Sequence, residues 1–374
     1  MKALKIVFKL VLILALVALV FFGRNFIKEQ VINRAVGIYY VFKGDRAFHK
    51  HKLAYAIDYY NQALRFFPSH YTAWYNLGNL YVACEDYYSA VDAYQKSIEH
   101  NPKYAMARMN LGIVSAEKLG NFDEAIKQYD AIIHLKNKIW TIPFIMSNKK
   151  SSKQNIGLAY YNRGIAYNNK ALYLPIDERI LKTELLRKSI QSYEKSNKIL
   201  KKNSDVVFNL AMTHHLMGNY RDAGLNYCKA IKLTPMSYEA HYNLAILLRR
   251  IHRYKNSFDE LEKAAMLLSF KQNGNTARSG YILGIFGEVS KLYERYGSME
   301  ENEEYSIYNT DDQSVDLKKK KGKKKKNLHR EAEYIKFNNS NGKIYPDKEL
   351  DKVMIKNFSM CEGLDYFKNG EDDE

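Results

Sequence analysis

Between residues 37 and 139 apolar side chains recur three and four positions apart, in stretches of about three helical turns closed by short polar runs. Residues 71–83, YTAWYNLGNLYVA, show the pattern: Trp74, Leu77, Gly78 and Tyr81 share one helical face, and a second stretch beginning near Tyr87 places Ala90 and Tyr94 on another. Gly78 and Ala90 are small, so two such helices can pack closely, and Pro102 stops the second of them. The chain is therefore predicted to be built from antiparallel pairs of amphipathic helices.

The pairs repeat. Pro68 and Pro102 are 34 positions apart, and the same step relates Gly44 to Gly78, Tyr40 to Trp74, Ala56 to Ala90, Tyr60 to Tyr94 and Ala63 to Ser97. A third repeat runs from about Ala105, with Leu111, Gly112, Ala125 and Tyr129, one extra residue and no closing proline. Residues 140–156 break the period and are expected to be a loop or insertion. The period resumes with Tyr160, Gly164 and Tyr167; an insertion around LYLPIDERILKTE delays Ser189, Tyr193 and Ser196. Two regular repeats follow, one with Val207, Leu210, Ala211, Ala223, Tyr227, Ala230 and Pro235, the other with His241, Leu244, Ala245, Ser257, Leu261 and Ala264. Six repeats thus fill residues 37–139 and 157–271. Residues 275–297 form an amphipathic stretch without a partner and are expected to be the helix that closes the array. Residues 299–374 are acidic, then lysine-rich, then acidic again, and are expected to be a mostly disordered charged tail with at most a short helix near 347–358.

With Trp74, Leu77, Gly78, Tyr81, Ala90, Tyr94 and Pro102 in place, the second repeat resembles the tetratricopeptide repeat. The resemblance implies an all-α, right-handed superhelical solenoid with a concave groove that takes a protein or peptide partner.

The N-terminus adds a different element. Residues 1–5 carry Lys2 and Lys5, and an uninterrupted apolar run from Leu10 to Phe22 follows Lys9. Counted from Ile6 to Phe22, the apolar part of the segment 6–23 spans about 25 Å as a helix, a little short of the hydrocarbon core of about 30 Å unless Lys9 reaches the headgroups. An uncleaved membrane anchor is the expectation. A cleaved signal peptide is the rival, although LVFFGRNF lacks the small residues that a signal peptidase requires; a buried or peripheral helix is a third reading. The basic residues before the span, with the amino terminus, place the repeats on the extracytoplasmic side, although Arg24, Lys28 and Arg34 follow it closely.

Composition narrows the chemistry. The 374 residues include 31 Tyr and only 6 Pro, which suits a long helical array. Of the net charge of +17, the run KKKKGKKKK at residues 318–326 supplies eight and leaves nine on the rest. That run suits an anionic lipid surface or nucleic acid, but it has no interleaved aromatics for base stacking and seven carboxylates lie between 300 and 316; a solvated tail is the simpler reading. Cys84, Cys228 and Cys361 are far apart and odd in number, which suggests neither a disulfide framework nor a zinc site. Ten histidines form no metal-ligand motif, and no nucleotide loop or nucleophile elbow is found, so neither an enzyme nor a cofactor or metal is expected.

One recurrence remains. Asn76, Asn110, Asn162, Asn209 and Asn243 each lie two positions before the small Gly or Ala of their repeat; Phe42 stands there in the first. A residue two back from a packed position points roughly 160–200° away on a helix. Stacked repeats would line these amides along the inner wall of the groove, where each can donate to and accept from a peptide backbone. Beside them stand Tyr75, Met109, Tyr161, Phe208 and Tyr242, suited to side-chain pockets. The row resembles the asparagine ladder in the repeat domain of O-linked N-acetylglucosamine transferases, a resemblance that covers the repeats only. The plainer alternative is that each amide bonds its local backbone. A chaperone-tail carboxylate clamp cannot be assembled around Arg249 and Arg250. The expected function is a membrane-anchored scaffold that holds a partner protein. The alternatives are a structural subunit of an envelope or secretion assembly and a protein-import receptor, which needs its repeats in the cytosol.

Overall fold

The computed structural model describes residues 27–135, 148–271 and 364–369, with single positions 13, 20, 23, 291, 358, 360 and 361. The described residues are helical, without strands. After a π-helical turn, Lys28–Asn33, come α1 (Arg34–His49), α2 (Leu53–Phe66), α3 (Tyr71–Ala83), α4 (Tyr87–His100), α5 (Ala105–Glu117), α6 (Phe122–His134), α7 (Asn148–Tyr173), α8 (Arg179–Leu200), α9 (Ser204–Leu216), α10 (Tyr220–Leu233), α11 (Tyr238–Arg250), α12 (Tyr254–Lys271) and a short α13 (Leu364–Asn369). Helices α1 to α12 pair in sequence, giving the six repeats. They fall into two compact blocks, residues 1–201 and 202–374.

Five of the six repeats are held by one buried tyrosine of the second helix; in the sixth, Leu261 takes its place. Tyr60, Tyr94, Tyr129, Tyr193 and Tyr227 are all at most 2% exposed, and four of them lie flat against the glycine of the first helix. A methyl group on Gly78 would sit 2.6 Å from the Tyr94 ring, and one on Gly164 would sit 2.6 Å from Tyr193. The small residue is therefore the seat of the ring. Where serine replaces alanine at the helix crossing, its hydroxyl donates to a backbone carbonyl of the facing helix: Ser189 to Gly164 and Ser257 to Ala245, and, about two turns further on, Ser97 to Tyr71 and Ser196 to Gly157, each at 2.8 Å.

The turns repeat as well. The bend between paired helices uses a left-handed residue, His51, Glu85, Gly218 or His252, at the same place in its repeat. The extra residue of the third repeat falls in this bend, where Gly120 (φ +64°) absorbs it. Asp86, Asn121, Asn203 and Ser237 cap the helices that follow them by accepting from a backbone N–H. The proline carbonyl between repeats also has a job. It accepts from the fourth residue of the next repeat: Trp74 Nε1 to Pro68 at 2.7 Å, Arg108 Nε to Pro102 at 3.0 Å and, at 3.0 Å, the His241 Nε2 beside Pro235.

His70 caps α3 through its ring, Nδ1 accepting from Ala73 N at 3.2 Å. Burial lowers its pKa below the ordinary histidine value, so the neutral, accepting form is the one that the fold favours. A depressed pKa contributes stability that is present above the unfolded value of about 6.5 and is lost as pH falls through the folded one. Denaturant titrations at pH 7 and pH 5 should therefore show a larger loss for the natural protein than for His70→Asn, which caps at both pH values, by about 1 kcal/mol. Equal losses would remove His70 from the cap.

Three expectations are corrected. Residues 148–156, expected to be a loop, form the first turns of α7, and the later insertion lengthens α7 and α8 instead of displacing their contacts: Ser189, Tyr193 and Ser196 are buried where the period requires. Cys228 and Cys361, read as unpaired, form a disulfide with a Cα separation of 5.4 Å; Cys84 is exposed and free. The end of the charged tail packs: Phe358 and Phe367 are 5% and 0% exposed against the second block. The rest of 299–374, the closing helix at 275–297 apart from Lys291, and the segment 6–23 apart from Ile13, Val20 and Gly23 lie outside the described residues. Among those described, no helix is long and apolar enough to cross a membrane.

Candidate functional site

The asparagine row lies half-buried, and its amides bond within the protein. In the first block each reaches back to the preceding repeat. Asn76 Nδ2 donates to Asp45 Oδ1 at 3.2 Å and to the Tyr60 hydroxyl at 3.3 Å, and that hydroxyl also donates to Asp45. One repeat later Asn110 Nδ2 donates to Asn79 Oδ1 at 2.8 Å, and the Tyr94 hydroxyl donates to the same oxygen at 2.7 Å. The two arrangements are copies: acceptor, tyrosine and asparagine all advance by 34 positions. Burial pushes the Tyr94 hydroxyl up to about 12, so it remains a donor at physiological pH.

The pattern ends where the acceptor does. The position equivalent to Asp45 and Asn79 is Ile113 in the third repeat, and Asn162 Nδ2 lies 3.2 Å from the Met109 sulfur instead. In the second block, Asn209 is half-buried, and Asn243 Nδ2 donates to the Glu239 carbonyl of its own helix at 2.8 Å, the local bond that helical asparagines often make. The recurrence has a structural cause in the first block: it joins successive first helices.

The large neighbours of the row also pack inward. Tyr75 meets Tyr94 and Tyr104 at ring separations of 6.0 and 5.3 Å, Tyr161 meets Tyr193 at 5.9 Å and Phe208 meets Tyr227 at 5.9 Å. Tyr242 packs beside Leu261 and Ala265. Met109 is 8% exposed in the core between α5, α6 and α7, so it forms no open pocket wall.

An open concavity forms among the described residues of the second block. A cavity of about 490 Å³ lies between α9, α10 and α11, with Met212, His215, Tyr220, Tyr227, Asn243 and Arg250 among its lining residues. The Arg250 guanidinium sits 5.5 Å from the centre of the Tyr220 ring, and among the described residues no carboxylate pairs with it. His215 lies edge-on to Tyr220 and Tyr227; burial, and then the neighbouring Arg250, lower its pKa, so it stays neutral at physiological pH. The lining combines Met, Tyr and His side chains with one guanidinium and one amide, so it offers both apolar and polar contacts. Sequence reasoning points to Asn243, and considers Arg250 only for a clamp that cannot be assembled; it does not single out His215 or Tyr220. These residues come from three helices, and the cavity exists only once α10 is packed between the others. No group of His, Cys, Asp or Glu among the described residues is arranged to hold a metal ion.

Tetratricopeptide repeat models match residues 43–87, 71–104 and 204–235, so the chain carries tetratricopeptide repeats in both blocks. No curated protein matches it. Among solved structures, a tetratricopeptide repeat protein from Parabacteroides merdae is 14% identical, with a TM-score of 0.48 over 71% of this chain and 97% of its own. PilF of Pseudomonas aeruginosa is 13% identical, with a TM-score of 0.46 over 67% and 97%. YrrB, described as a TPR protein with an unusual peptide-binding site, is 20% identical, with a TM-score of 0.41 over 59% and 95%.

Proposed function

We propose that this protein is a membrane-anchored scaffold that holds a partner protein by a polypeptide segment laid along the first helices of its repeats. The observation that carries the reading is the cavity beside Asn243 and Arg250: its Met and Tyr side chains give a partner side chain a place to bury, and the guanidinium and the amide carbonyl meet the backbone or an acidic neighbour. In the first block the asparagine row then serves a second purpose. It fixes the spacing of the first helices within that block, and the carbonyl oxygens of Asn76 and Asn110 are offered to a partner's backbone there. Tethering through residues 6–23 would raise the partner's concentration at the membrane without any chemistry by the scaffold itself.

The disulfide supports an extracytoplasmic position for the repeats, because cytosolic thiols are kept reduced. It favours the scaffold, or a subunit of an envelope assembly, over an import receptor in the cytosol. The test uses the full chain. Crosslinked material from detergent-solubilised membranes is recovered with the natural protein and with an Asn243→Ala, Arg250→Glu variant that keeps its helical circular dichroism. At least one protein recovered with the former should be lost with the latter. Identical recoveries would reject the cavity as the contact.

A further inference from the structure

The described residues between 358 and 369 occupy a built site on the second block. Phe358, Cys361, Leu364 and Phe367 recur every three positions and are the residues that pack. The Phe367 ring rests on Gly224 of α10, where a methyl group would overlap it. Arg221 Nε and Nη2 donate to the carbonyls of Phe367 and Lys368 at 3.2 and 3.4 Å. Lys263 Nζ donates to the Met360 carbonyl at 3.2 Å, and Phe358 lies edge-on to His241 at 6.2 Å. Cys361 is bonded to Cys228 on α10. The terminal segment is held by its rings, by its backbone and by one covalent bond, on residues that no part of the candidate site uses.

We propose that this face is a redox-controlled docking site, whose occupant in the oxidised protein is the chain's own terminal segment. The segment follows 86 residues after the end of α12 (residues 272–357), and bringing so distant a stretch of chain back to the block costs loop-closure entropy. The crosslink spans 133 residues and holds the segment in place. Reduction by a dithiol, which transfers two electrons and two protons and itself leaves as a disulfide, yields the free thiols of Cys228 and Cys361. The segment then departs and uncovers an apolar patch around Gly224 and Cys228.

Two variants separate the covalent bond from the ring seat. Cys361→Ser removes the bond; Gly224→Ala leaves the bond but fills the seat, and alanine is itself the better helix former. The readout is hydrogen exchange of the 364–369 amides in the full chain, with circular dichroism as the check on folding. Peptide mapping of the oxidised protein should find Cys228 joined to Cys361, with the 364–369 amides protected. Protection should be lost on adding dithiothreitol, in Cys361→Ser and in Gly224→Ala, with helical content retained in each. An absent crosslink, protection that survives reduction or survives Gly224→Ala, or loss of protection only together with the helices of the block would each overturn the proposal.

Discussion

Replacing Tyr94 with alanine is expected to destabilise the first block by about 3–5 kcal/mol, the range for truncating a buried aromatic side chain. The ring is 1% exposed and fills the space that Gly78 leaves open between α3 and α4. Removing it takes away the contact surface of two helices, and its hydroxyl leaves Asn79 with one donor fewer. Glycine has no side chain with which to close the gap, so the cavity persists. Tyr94→Phe keeps the ring and loses the hydroxyl, and should cost only about 1 kcal/mol. The comparison is made by urea unfolding followed at 222 nm. Equal losses for the two variants would mean that the hydrogen bond, not the ring, holds the pair together. Because repeats couple mainly to their neighbours, the first block should melt before the second in Tyr94→Ala and broaden the transition.

Glu260→Ala is the second large effect, expected at about 3–5 kcal/mol in the second block. Glu260 and His241 are both fully buried; Oε2 lies 2.5 Å from His241 Nδ1, and Oε1 lies 3.0 Å from Lys263 Nζ. The other ring nitrogen of His241 faces the Pro235 carbonyl. One carboxylate thus links α11 to α12 and holds the lysine that reaches Met360. Taking it away leaves the buried His241 Nδ1 without the carboxylate that faces it, and breaking such a pair costs more than the pair contributes. A double change, His241→Phe with Glu260→Leu, should recover much of the loss, since neither buried group then lacks a partner. If Glu260→Ala unfolds at the natural denaturant concentration, water reaches the cluster and the burial argument fails.

The repeats were legible in the sequence because everything that defines them is local. Ring, seat and bend recur at a fixed step, and each helix declares its packed face within four residues of itself. The interruption at 140–156 was misread because a polar, lysine-rich stretch carries no apolar period, yet residues 148–156 need only continue the helix that α7 has already nucleated. The asparagines were visible as a row, but their use was not. It depends on whether the previous repeat offers Asp45, Asn79 or Ile113 across the helix contact, a relation between positions 31 apart or more. The pairing of Cys228 with Cys361 has no spacing to announce it, and the three-residue rhythm of Phe358, Cys361, Leu364 and Phe367 is hidden in a segment whose composition reads as solvated.

The Cys228–Cys361 bond also changes what kind of object the charged region is. Residues 229–360 lie within a covalent ring, and the lysine run at 318–326 is part of that ring, not of a free end. A peptidase that cuts among those lysines severs the chain without dividing the molecule: the terminal piece stays attached through sulfur. A lysine-rich, cleavable stretch can in this way be clipped while both of its flanks stay joined to the repeats.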